Sequence, residues 1–204
     1  MIHTVVFDLG NVLLHFDHSI ILKRISPYMD QKIGLTDAWR MLKSEIALFE
    51  TGLIGPEEFF EKLRNSLNLA PRLGYAEFAK NWAEIFWKNE ELVDLLPKLR
   101  KKVKLIMLSN TNVLHIEYAK QAFPEVFSPF DAHVLSYEAG CSKPSPEIYR
   151  KVLELGSGNP NEFVYFDDIY AYIQAAEQCG MKAHQYVSVQ GVRDSLAMYS
   201  IEFD

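Results

Sequence analysis

Apolar residues follow two patterns along the chain. Short continuous runs recur at Ile2–Phe7, Lys102–Leu108 and Phe163–Phe166, rich in β-branched and aromatic residues, and each stops at a polar cluster. Runs of this length and make-up predict strands buried on both faces. Ala132–Leu135 and Gln185–Val189 are weaker strand candidates. Helical stretches lie between them. Asn112–Phe123 is closed by Pro124, Ser145–Leu155 opens with a capping serine and a first-turn proline, and Ala171–Cys179 is stopped by Gly180. Strands alternating with helices predict an α/β, Rossmann-like parallel sheet covered on both faces.

Between residues 16 and 99 the alternation breaks. Ser19–Ile25 reads as a helix ended by Pro27, and Thr36 can cap a helix whose apolar face is Trp39, Leu42, Ile46 and Phe49, with Gly52 beyond it. Gly55-Pro56-Glu57 opens a helix burying Phe59, Leu63 and Leu67, Phe78, Trp82 and Ile85 stripe another, and Leu92, Leu95 and Leu99 the last. The expectation is a core of residues 1–15 and 100–204 and an inserted helical cap of 16–99. Helical spacing makes core packing the default for Phe59, Trp82 and most of the other cap aromatics.

A length of 204 residues suits one domain with an insertion. Lys and Arg total 21 against 27 Asp and Glu, a formal charge of −6, which argues against a nucleic-acid partner. The two cysteines, Cys141 and Cys179, are too few for a disulfide framework, so a reduced, cytoplasmic setting is expected. The first residues lack the basic start and long apolar stretch of a signal peptide, and no apolar run is long enough to span a membrane. Nothing in the sequence specifies an oligomeric state.

Open parallel sheets bind ligands at the carboxyl ends of their strands. If the three strong strands are neighbours, Asp8, Ser109 with Asn110, and Asp167 with Asp168 converge on one crevice. Three carboxylates in one place need a cation, and an all-oxygen set suits Mg²⁺. Lys143, just before the Ser145-Pro146-Glu147 helix start, would complete a phosphate site. This set supports phosphoryl transfer to a carboxylate nucleophile. Asp8 attacks phosphorus, Mg²⁺ and Lys143 hold the phosphoryl oxygens, Ser109 donates a hydrogen bond, and water releases the phosphate. The partner expected is a small phosphorylated metabolite.

The segments Val5-Val6-Phe7-Asp8-Leu9-Gly10-Asn11-Val12-Leu13, Leu108-Ser109-Asn110-Thr111, Ser142-Lys143-Pro144 and Phe166-Asp167-Asp168, in this order, resemble the haloacid dehalogenase-like hydrolase superfamily. The chain is similar in particular to bacterial sugar-phosphate phosphatases and to the N-terminal phosphatase domain of soluble epoxide hydrolases. The resemblance implies a Mg²⁺-dependent phosphatase with Asp8 as nucleophile, Ser109, Asn110 and Lys143 on the phosphoryl group, and Asp8, Gly10, Asp167 and Asp168 on the metal. It also implies that the insertion is a mobile cap.

The sequence departs from the family at one chemically important position. Family phosphatases carry an aspartate, the general acid and base, two residues after the nucleophile; here that residue is Gly10. Its carbonyl can still serve a metal, but the proton donor is gone, and such a group is worth about 10²–10⁴-fold. His15, Asp17 or a cap residue can supply it instead, and restoring a carboxylate at position 10 is expected to raise turnover. Two other functions remain open: a phosphate-ester-binding protein with little or no turnover, and a haloacid dehalogenase, for which Asp167 and Asp168 beside Asp8 are a poor environment. Tyr172 stands where the family often has asparagine. Cys141 reads as a spectator, and His15 and His18 as lining the entrance beneath the cap.

Overall fold

The computed structural model describes residues 1–30 and 32–202. In chain order, β1 (Thr4–Phe7) and β2 (Leu14–Phe16) lead into five helices, α1 (Ser19–Ile25), α2 (Leu35–Met41), α3 (Lys43–Glu50), α4 (Pro56–Ser66) and α5 (Tyr75–Ala83). Then come β3 (Phe86–Lys88), α6 (Glu90–Val93), α7 (Leu96–Leu99), β4 (Lys104–Ser109), α8 (Val113–Ala122), α9 (Pro124–Phe127), β5 (Ala132–Leu135) and α10 (Ser136–Ala139). The chain continues through α11 (Pro146–Leu155), β6 (Phe163–Asp167), α12 (Tyr170–Gln178), β7 (Lys182–Gln185) and α13 (Val189–Ala197). Five strands form a sheet in the order β5-β4-β1-β6-β7, and every pairing within it is parallel. The α/β expectation therefore holds.

Side chains alternate across a strand, so the continuous apolar runs supply both faces of the sheet at once. Val5, Phe7, Leu105, Met107, Val164 and Phe166 pack on one side with Ile116 of α8 and Val192 and Leu196 of α13. Val6, Ile106, Leu108, Phe163 and Tyr165 pack on the other with Ile148 and Val152 of α11 and Ile173 of α12. A third apolar cluster joins α1 to α5, including Phe49, Phe59, Phe78 and Trp82. Phe59 stacks on Phe49 with ring centroids 4.3 Å apart and meets Trp82 edge-on at 4.7 Å. Leu92, Leu95 and Leu99 pack with the sheet, although they lie within residues 16–99.

Several local readings change. The strand expected at Gln185–Val189 is Lys182–Gln185, and Val189 instead opens α13, because the Ser188 hydroxyl accepts the Gly191 N–H and caps that helix. The helix expected after Thr36 begins at Leu35 behind Gly34 and divides into α2 and α3 at Leu42. Ile85 falls beyond α5, which ends at Ala83. Unforeseen was the antiparallel ribbon of β2 with β3, pairing His15 with Trp87 and Phe16 with Phe86, through which the chain leaves and re-enters the sheet domain.

The end of α3 rests on α10. Gly52 has φ +69°, and a Cβ there would lie 2.1 Å from the Tyr137 carbonyl oxygen. Only glycine permits both this conformation and this approach. Gly52→Ala is expected to cost about 1–3 kcal/mol, read as a lower urea midpoint with an unchanged slope. An unaltered midpoint would mean that this contact does not constrain the fold.

Candidate active site

Because β4, β1 and β6 are adjacent, their carboxyl ends lie side by side. Asp8 directly follows β1, and its backbone N–H donates to the Phe166 carbonyl at 2.9 Å. Ser109 ends β4 and Asp167 ends β6. One carboxylate oxygen from each of Asp8, Asp167 and Asp168 lies within 4.8 Å of the others, the only such group of metal-ligating side chains among the described residues. Lys143 enters from the loop between α10 and α11. Its Nζ is 2.8 Å from Asp8 Oδ1 and 2.6 Å from Asp167 Oδ2.

Asn110 holds that lysine in place. The Lys143 N–H donates to Asn110 Oδ1 at 2.8 Å, and Asn110 Nδ2 donates back to the Lys143 carbonyl at 3.0 Å. The amide is thus engaged on both sides by the loop that carries Lys143. Asp167, fully buried, accepts the Tyr165 hydroxyl and the Lys143 ammonium on Oδ2 and the Ile169 N–H on Oδ1 at 2.8 Å. Asp168 is more open, with Asn11 Nδ2 3.4 Å away. The Ser109 hydroxyl is buried and reaches only the Asn110 carbonyl, at 3.4 Å. Tyr172 lays its ring 4.9 Å from Lys143 Nζ, a cation–π contact that closes one side of the site.

The charges do not balance: three carboxylates face one ammonium. Burial pushes the Asp8 carboxyl up to about 7, Lys143 opposing and Asp167 adding to the rise. Asp168 is also raised, by burial first and then by Asp167. Burial works to lower Lys143, but Asp8 and Asp167 outweigh it and keep the ammonium charged. An oxygen-only cluster with surplus negative charge is the donor set that hard divalent cations take.

At Gly10 the structure adds something unread in the sequence. A Cβ there would come within 2.8 Å of Cε1 of Phe16, so the ring occupies the space an acidic side chain would enter. Restoring aspartate at position 10 therefore also requires Phe16 to move. His15 lies beside Trp87, ring centroids 6.0 Å apart, and His18 lies between Phe16 at 4.6 Å and Trp39 at 4.8 Å. Asp17 accepts the Ser19 N–H and hydroxyl, both at 2.8 Å, and these bonds hold its carboxyl below the usual range. Cys141 is a free thiol directed at the Ala139 carbonyl.

Sequence reasoning missed Tyr165, Phe16 and the contact of Tyr172. Tyr165 was findable, since it stands two residues before Asp167 on one strand and so shares its face. Phe16 and Tyr172 approach the site through tertiary packing and left no local signal.

The haloacid dehalogenase-like hydrolase family model matches residues 2–180. The chain belongs to that family. It is 28% identical over 196 residues to D-ribitol-5-phosphate phosphatase of Bacteroides thetaiotaomicron, covering 91% of this chain and 92% of the relative. A crystal structure of a family enzyme from the same organism, in complex with magnesium and inorganic phosphate, superimposes with a TM-score of 0.82 at 28% identity, covering 93% of this chain and 96% of the other. A 61-residue segment is 36% identical to bifunctional epoxide hydrolase 2 of Rattus norvegicus, 30% of this chain and 11% of that protein. No helix among the described residues is long and apolar enough to cross a membrane.

Removing the ammonium would leave Asp8 and Asp167 buried and mutually repelling. Lys143→Met is expected to cost about 3–5 kcal/mol at pH 8. Beside Lys143 the Asp8 carboxyl lies near 7; without the ammonium that opposes the rise it lies higher, so the folded variant takes up its proton at a higher pH than wild type, and the loss shrinks as pH falls toward about 7 and then levels off. Denaturation curves at pH 8 and pH 5 check this; an equal loss at both would contradict it.

Proposed function

We propose that the protein hydrolyses a small phosphomonoester, a sugar or polyol phosphate, in a Mg²⁺-dependent reaction with Asp8 as the phosphoryl acceptor. The observation that carries this reading is the convergence of Asp8, Asp167 and Asp168 with Lys143 held between two of the carboxylates. Kinship with a D-ribitol-5-phosphate phosphatase supports the substrate class. The magnesium and phosphate bound by a relative 28% identical in sequence support the cofactor.

Asp8, Asp168 and the Gly10 carbonyl would hold the ion, with Asp167 contributing charge beside them. When bound, the cation offsets the negative charge of the carboxylates and the phosphate ester, so that an anionic oxygen can approach phosphorus. Lys143 holds Asp8 Oδ1 at 2.8 Å and so fixes the carboxyl group at the end of β1. Asp8 bonds to phosphorus as the ester oxygen departs, and Lys143 and the Ser109 hydroxyl meet the transferred oxygens. Water then cleaves the aspartyl phosphate and regenerates Asp8. The Asn110 amide and the Tyr172 ring position Lys143, and the helices from α1 to α5 act as a cap that excludes water and selects the leaving group.

A second reading, a phosphate-ester-binding protein without turnover, draws on Gly10 and the Phe16 ring above it. Steady-state assays on a panel of sugar and polyol phosphates separate the two. Turnover is expected with Mg²⁺, lost on chelation and restored by added Mg²⁺, and reduced at least about 10³-fold in Asp8→Asn. Equal rates for Asp8→Asn and wild type would sink the nucleophile assignment; tight binding without any turnover would favour the second reading.

A further inference from the structure

A cavity of about 950 Å³ opens between α1, α2 and α3, with His18, Thr36, Trp39, Lys43 and Glu50 among its lining residues. One wall residue stands next to the ring beside the site, because His18 lies against Phe16 and Phe16 covers Gly10. Glu50, the last residue of α3, is half-buried in this wall. Its carboxyl has no hydrogen bond or ion pair among the described residues. Burial alone pushes it up to about 7. A carboxyl partly withdrawn from water and left unpartnered is costly to keep ionised, which is the situation expected of a group whose partner arrives with the substrate.

Its position is tightly specified. Two residues on, Gly52 sits against the Tyr137 carbonyl, and α10, which carries Tyr137, leads directly into the loop bearing Lys143. The charge of Glu50 is also felt at the Tyr172 hydroxyl, and the Tyr172 ring covers Lys143. Glu50 therefore lies at the end of α3 that meets α10 of the sheet domain. The alternatives are spoken for: Asp17 is held ionised by Ser19, His18 is enclosed between two rings, and position 10 has no side chain.

We propose that Glu50 is the proton donor and acceptor of the reaction, delivered by the cap in place of the side chain that Gly10 lacks. The assignment rests on the reading of Asp8 as phosphoryl acceptor. In the first half, an Asp8 oxygen bonds to phosphorus, the ester P–O bond breaks, and the neutral Glu50 carboxyl gives its proton to the departing oxygen, releasing an alcohol. In the second, the Glu50 carboxylate takes a proton from the water that attacks phosphorus; the Asp8–phosphorus bond breaks, phosphate leaves, and both carboxyl groups return to their starting states. The substrate class that needs this is an ester of a poorly acidic alcohol, such as a pentitol. Closure of the cap brings Glu50 over the crevice.

The test compares ribitol 5-phosphate with p-nitrophenyl phosphate, whose leaving group departs without a proton, in the Mg²⁺-supplemented full-length protein. Glu50→Gln is expected to lower kcat on ribitol 5-phosphate by about 10²–10⁴-fold. With p-nitrophenyl phosphate it should release a burst of about one nitrophenolate per enzyme before slow turnover, because transfer to Asp8 survives and hydrolysis does not. Wild-type kcat on the pentitol ester should fall above about pH 7, as Glu50 loses its proton, and Glu50→Gln should lack that limb. His18, Arg40 and Lys43 in the cavity wall and Tyr137 and Tyr172 on the sheet domain face the same region. None of them pairs with Glu50, so their retention in the variant leaves the assignment of the limb clear. Gly10→Asp combined with Phe16→Ala should restore part of the lost rate in the Glu50→Gln background. A Glu50→Gln enzyme at wild-type rate on the pentitol ester, or one slowed on both esters without a burst, overturns the assignment of Glu50 and leaves that of Asp8 standing. A wild-type protein with no Asp8-dependent turnover of either ester overturns both.

Discussion

The site depends on one buried ammonium. Lys143, its side chain about 1% exposed, bonds to Asp8 and Asp167 at once and supplies the countercharge for both buried carboxyl groups. Taking charges out of water costs several kcal/mol per ion, and Coulomb attraction returns that only where the geometry is close and the remaining polar atoms are satisfied. The surrounding hydrogen bonds meet that condition. Asn110 clamps the Lys143 backbone from both sides, Tyr165 and Ile169 occupy the remaining capacity of Asp167, and the Tyr172 ring shields the ammonium. With all three carboxyl groups ionised, two negative charges still remain in excess on the cluster, which gives the site its affinity for cations.

The cap has its own source of cohesion. Its helices are held by stacked aromatic rings around Phe59 and Trp82 and meet the sheet domain at a few defined places. One is the Gly52 seat on Tyr137. Another is His115 of α8, buried against the Trp82 indole, with Nε2 3.1 Å from the Trp82 carbonyl. Asn112 caps α8 and bonds to the opposite ring nitrogen at 3.0 Å, and burial drives the ring to about 3, so it stays neutral. These helices thus share an apolar core that extends onto α8 of the sheet domain through Leu114.

The identity of the sheet was legible because its strands are buried on both faces. That burial demands unbroken apolar runs, and such runs are distinctive at Val5–Phe7, Leu105–Leu108 and Phe163–Phe166. The polar residues that end those runs had to fall at the same edge of the sheet once the strands proved parallel and adjacent. Asp8, Ser109, Asp167 and Asp168 were therefore visible from their place in the chain. The edge strand was harder to see: Lys182–Gln185 is half exposed and lacks the pattern, while Val187 and Val189 imitate it beyond the strand's end.

Along the sequence itself stood the alternation of strands and helices, the interruption by an all-helical insertion, the strand-end carboxylates and the missing acid at Gly10. Each is written in residue type and local order, and local periodicity is enough to reveal it. Tertiary packing alone decided that Asn110 serves the Lys143 loop, that Phe16 fills the space above Gly10, that Tyr172 roofs the ammonium and that Glu50 is left half-buried without a partner among the described residues. Asn110 lies 33 residues from Lys143 and 62 from Tyr172, whose ring covers that lysine. Contacts over such distances arise from how the strands and loops of the sheet domain assemble, and no local pattern of hydrophobic and polar residues encodes that assembly.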